Sequence, residues 1–114
     1  MDTQPPYGNY NRSCGKVCMI EHFNQLTPAE AERLAILSEE CGEVVQAIGK
    51  ILRHGYDSRY EAGQTNREQL ELELGDLEVI VCKMLDARDI SSKNMETRIK
   101  LKTEKIKKYL HHQE

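Results

Sequence analysis

Two stretches of this chain do what a core-facing helix ordinarily avoids: they seat carboxylates in an apolar stripe. Between Ile36 and Arg53, Leu37, Val44, Ile48 and Ile51 recur at helical spacing, about 100° per residue. Glu40 falls inside the stripe they trace, and Glu43 sits at its edge. An amphipathic helix keeps its charges on the outer face. The pattern then recurs. The offset that carries Glu40 to Glu73 also carries Leu37 to Leu70, Gly42 to Gly75, Glu43 to Asp76, Ile48 to Val81 and Lys50 to Lys83. Glu40-Cys-Gly-Glu43 and Glu73-Leu-Gly-Asp76 are two copies of one acidic pair.

The signals around these pairs are helical. Thr27-Pro28-Ala29-Glu30 combines a capping box with proline at the first helical position, and predicts a helix to about His54, stopped by Gly55. Tyr56 to Gln64 is polar and reads as a loop. Thr65-Asn66-Arg67-Glu68 is a second capping box, opening a helix through Leu70, Leu74, Leu77, Val81 and Leu85 to about Ala87. From Lys93 onward Met95, Ile99, Ile106 and Leu110 trace a third helix, with Arg98, Lys100, Lys102, Lys105, Lys107 and Lys108 on its other faces. Val17, Met19, Ile20 and Phe23 suit a short helix over Lys16 to Leu26. Residues 1–15, with Pro5-Pro6, Gly8 and Gly15, read as a flexible N-terminal arm. Aromatics are scarce and no strand alternation occurs. The expected fold class is all-α: an antiparallel helical bundle in one domain, residues 16–114, of two long helices plus a C-terminal helix.

Totals exclude several classes. A net charge of -3 gives no reason to expect a nucleic-acid polymer as partner. No apolar run reaches membrane-spanning length, and no basic-then-apolar leader opens the chain. Cys14 and Cys18 could join His22 or His111-His112 around zinc, but the spacing matches no strong zinc template. Reduced thiols at Cys14, Cys18, Cys41 and Cys82, in a cytoplasmic protein, are the better expectation.

Residues three apart on a helix are surface neighbours, so packing the two matching stripes together would bring both acidic pairs into one pocket. Like charges 4 Å apart repel by about 1 kcal/mol in water and about 4 kcal/mol at an effective dielectric of 20. Protons or divalent cations must relieve that. Oxygen ligands favour Mg²⁺, Mn²⁺ or Ca²⁺ over zinc or copper. A di-iron centre would need Glu-x-x-His on the core helices, which is absent. Mg²⁺ is the expected cofactor, with Mn²⁺ as its substitute. Because Mg²⁺ keeps waters and shares its shell with phosphate oxygens, Lys50 and Lys83, two turns beyond Glu43 and Asp76, are candidates to bind substrate phosphates. His54, on the acidic side of its helix, is a third; Arg53 and Arg67 are weaker ones. Glu39 points about 100° from Glu40 and is the candidate to orient or deprotonate an attacking water. Each has a plain alternative as a solvated charge or a helix-end cap. Gly42 and Gly75 each cost about 1 kcal/mol relative to Ala in a helix interior, which suggests close backbone approach or room for a ligand. No phosphate-binding glycine loop and no Ser/His/Asp or Cys/His set is present.

Glu39-Glu40-x-x-Glu43 followed by Glu73-x-x-Asp76 resembles the EExxE…ExxD signature of the MazG-like all-α nucleoside triphosphate pyrophosphohydrolases. All-α dUTPases and phosphoribosyl-ATP pyrophosphatase are related to these. The similarity runs roughly from Leu26 to Leu110, and Leu37 to Tyr56 is most similar to small MazG-like proteins of phage and bacteria. The resemblance implies hydrolysis of a nucleoside triphosphate between the α and β phosphates, giving a monophosphate and pyrophosphate, a house-cleaning activity. It implies Glu40, Glu43, Glu73 and Asp76 as magnesium ligands, Glu39 in a supporting role, and a homodimer or homotetramer with nucleotide pockets between subunits. The alternative is a non-catalytic helical interaction module whose acids hold a structural cation. Metal-dependent pyrophosphate release separates the two.

Overall fold

The computed structural model describes residues 24–59 and 63–113. These residues are all-α: α1 spans Pro28–His54, α2 Asn66–Asp86 and α3 Ser92–Lys105, with a 3₁₀ turn at Ile106–Lys108. They group into two compact units, one ending at Val81 and the other beginning at Cys82. The N-terminal arm, most of the short first helix and the Cys14/Cys18 pair expected above lie outside the described residues.

In the first unit, α1 begins where its capping box predicts. The Glu30 backbone N–H donates to Thr27 Oγ1 (3.1 Å) and the Thr27 N–H donates to Glu30 Oε1 (2.9 Å). These bonds satisfy donors that the first turn leaves without helical partners. The helix stops at Gly55, whose φ of 84° suits a residue without a Cβ and whose N–H still reaches Ile51 O at 2.7 Å.

The chain then folds back through a bonded neck. Asn66, only 4% exposed, donates its side-chain amide to Gly55 O (2.9 Å) and its backbone N–H to Ser58 O (2.9 Å). The Arg67 N–H donates to Tyr56 O (2.9 Å), and Arg59 pairs with Thr65 in an isolated antiparallel bridge. Above this, the Arg67 guanidinium lies 4.4 Å from the centre of the Tyr56 ring and 3.3 Å from Asp57 Oδ1. The second capping box is also formed: Glu68 N–H to Thr65 Oγ1 (3.1 Å), Thr65 N–H to Glu68 Oε2 (3.3 Å). The start of α2 is thus fixed to the end of α1, and within this unit the two helices come together again at their acidic residues.

The inward face of α1 is Leu37, Glu40, Val44, Ala47 and Ile51, all half-buried except Ala47, which is buried. Ile48, which spacing alone puts in the stripe, is 42% exposed. The buried position falls one residue earlier, where Ala47 is smaller. On α2, Leu70, Glu73 and Leu77 are half-buried and Ile80 is 1% exposed. A second apolar stripe on α1 stays open: Leu34, Val45 (67%), Ile48 and Leu52 (82%).

In the second unit, α2 ends in a double-bonded turn, with Asp89 N–H to Met84 O (2.9 Å) and Arg88 N–H to Leu85 O (3.0 Å). This is the six-to-one, five-to-two pattern that usually carries glycine at its left-handed position; here that residue is Arg88, at φ 62°. Ser91 caps α3, its Oγ accepting from the Asn94 N–H at 3.3 Å. Of the apolar series Met95, Ile99, Ile106 and Leu110, only Met95 is half-buried.

Candidate metal centre

Helical geometry places Glu40 and Glu43 one turn apart on α1, and Glu73 and Asp76 likewise on α2. With the stripes facing, Glu40, Glu73 and Asp76 each bring one carboxylate oxygen to within 4.8 Å of the others. Glu40 and Glu73 are half-buried, while Asp76 is exposed at the open side. Glu43, half-buried, lies outside that trio but close enough for its charge to act on Glu40. Glu39 is exposed beside it.

The Glu40 carboxyl is held above the ordinary glutamate value of 4.5. Partial burial is the main cause. The charges of Asp76, Glu39, Glu73 and Glu43 follow, in that order. A half-buried carboxylate near four others is stabilised by anything positive that enters.

The donor set suits a hard cation. In octahedral Mg²⁺ coordination, bonds of about 2.1 Å put adjacent ligand oxygens about 3 Å apart and opposite ones about 4.2 Å apart. Three oxygens within 4.8 Å of one another are near that spacing. Among the described residues no histidine or cysteine joins the group, so the chemistry is that of oxygen ligands.

The remaining predicted residues lie further off. Lys50 is half-buried and lines a shallow, open depression with Gln46, Gly49 and Arg53. It lies about 10 Å along the α1 axis from Glu43, and His54 about 17 Å. His54 is exposed in the last turn of α1, and Lys83 is exposed on the part of α2 that belongs to the second unit. Gly42 and Gly75 depart from the close-approach expectation: both are exposed, and a Cβ built at either would meet nothing within 4 Å. Their space is open in the single chain.

Sequence reasoning passed over Gln69. Its Nε2 donates to Glu73 Oε1 at 2.6 Å. The signal was the one-turn spacing between them, indistinct because glutamine is an ordinary helix-surface residue.

The family described as "MazG nucleotide pyrophosphohydrolase domain" matches residues 29–112, which takes in all three helices and both acidic pairs. No curated protein matches the chain, and no solved structure does.

Proposed function

Because this chain belongs to the MazG nucleotide pyrophosphohydrolase family, we propose that it hydrolyses nucleoside triphosphates to the monophosphate and pyrophosphate, in a reaction dependent on Mg²⁺ or Mn²⁺. The observation that carries the metal requirement is the convergence of Glu40, Glu73 and Asp76 within 4.8 Å. In this reading those three and Glu43 hold the ion. When bound, Mg²⁺ supplies charge neutralisation for the triphosphate and a more acidic water.

The other roles fall to the chain's own groups. Glu39, exposed next to Glu40, orients the attacking water and accepts its proton at a carboxylate oxygen. Lys50, His54 and Lys83 bring positive charge to substrate phosphates. The axial distances on α1 favour a site to which more than one copy of the chain contributes. The open stripe of Leu34, Val45, Ile48 and Leu52 supports the same conclusion, since a helix with two apolar faces buries only one against its own chain. Both observations support the reading of the protein as a homodimer or homotetramer. Among the described residues no helix is long and apolar enough to cross a membrane. The free, exposed thiols of Cys41 and Cys82 suit a reducing, cytoplasmic setting.

A panel of ribo- and deoxyribonucleoside triphosphates, assayed for pyrophosphate release with Mg²⁺ and with EDTA, tests this reading. The expected result is metal-dependent release from at least one substrate. Metal binding without release from any of them would point to the non-catalytic module.

A further inference from the structure

Four acids that repel one another do not hold a pocket together unaided. Glu73 has three rotatable side-chain bonds and every electrostatic reason to swing away from Glu40 and Asp76. The contact opposing this is the 2.6 Å bond from Gln69 Nε2 to Glu73 Oε1. A carboxylate only accepts, so the amide must present its NH₂ group to it. Both side chains are half-buried, and Gln69 stands on a fixed base: its backbone N–H donates to Thr65 O at 3.0 Å, in the turn locked to the α1–α2 neck.

We propose that Gln69 is a positioning residue for metal binding, tethering one oxygen of Glu73 so that the carboxylate stays turned toward Glu40 and Asp76. The proposal rests on the reading of Glu73 as a metal ligand. A neutral donor suits the task. Lysine or arginine at this position would hold the carboxylate equally well, but would place a positive charge where the ion must sit. Glutamine orients the carboxylate and leaves its charge, and its remaining lone pairs, for the cation.

Mn²⁺ binding to the full chain, followed by electron paramagnetic resonance, tests this on the wild type, Gln69→Met and Gln69→Ala. Both replacements are compatible with a helix, and Met keeps the length of the side chain. The expected result is that both variants bind Mn²⁺ at least about 10-fold more weakly. Metal-free melting temperature should be unchanged, and kcat should recover at saturating Mn²⁺. Wild-type affinity in both variants would overturn the proposal while leaving the metal site standing. So would a drop in metal-free stability large enough to account for the weaker binding. A wild-type chain that binds no Mn²⁺ would remove the metal site itself, and the role of Gln69 with it.

Discussion

Glu40 and Asp76 stand on different helices, yet each offers a carboxylate oxygen within 4.8 Å of the other's, and Asp76 is the strongest single charge acting to keep Glu40 protonated. Two anions brought this close cost the fold stability, a cost that the proposed cation would offset.

The neutral isosteres Glu40→Gln and Asp76→Asn should each reduce kcat/KM for pyrophosphate release by at least about 100-fold, since in the proposed reading each would take a charged oxygen ligand from the metal. Helicity by circular dichroism should stay at the wild-type level. Near-normal turnover in either variant would take that residue out of the metal's coordination.

Stability without metal should depend on pH through Glu40. Below the ordinary value of 4.5 its carboxyl is protonated folded or unfolded, and it contributes nothing to the pH dependence. Between 4.5 and its raised folded value, the native state keeps a proton that the unfolded chain has released. Stability therefore falls as pH rises through that window, and the full cost persists above it. Calorimetric melting in EDTA should show Glu40→Gln more heat-stable than wild type at neutral pH. The advantage should shrink on acidification, and a gap that stays constant with pH would contradict this.

If the open stripe on α1 is the contact of the proposed homodimer or homotetramer, Val45→Glu or Leu52→Glu, at positions 67% and 82% exposed, will lower the mass in solution without unfolding the chain. Light scattering coupled to size-exclusion chromatography would read the change in mass. Unaltered mass for both variants would rule this stripe out as a subunit contact.

Arg88 holds a left-handed conformation, φ 62°, that costs an L-residue roughly 1 kcal/mol or more. Arg88→Gly should relieve this strain, less the extra freedom glycine gains when unfolded. The expected net effect is a gain of up to about 1 kcal/mol, visible as a rise of a few degrees in melting temperature. A fall would mean that the Arg88 side chain makes contacts worth more than the strain.

Much of this architecture was legible because its punctuation is chemical. The Thr27/Glu30 and Thr65/Glu68 boxes and Gly55 each use a side chain, or the lack of one, for a job that few residues do, and the bonds are present. The acidic pairs were legible for the same reason: charge in an apolar stripe is conspicuous. The end of α2 was approximated to within a residue, but its mechanism was hidden, because the left-handed position carries arginine rather than glycine. Ile48 was misassigned to the inward face because the spacing suits it and Ala47 almost equally. The openness around Gly42 and Gly75 was not legible either, since a glycine's sequence position says nothing of what stands opposite.

Among the described residues, the bonds that join the two ends of the α1–α2 neck run from Gly55, Tyr56, Ser58 and Arg59 to Thr65, Asn66 and Arg67. The clasp ties the start of α2 to the end of α1, and so sets the pitch between the two acidic segments. Extra residues at positions 60–62 would lengthen the spacer and leave the carboxylates in step. One residue inserted in α1 between Glu43 and Gly55 would swing Glu40 about 100° out of the cluster.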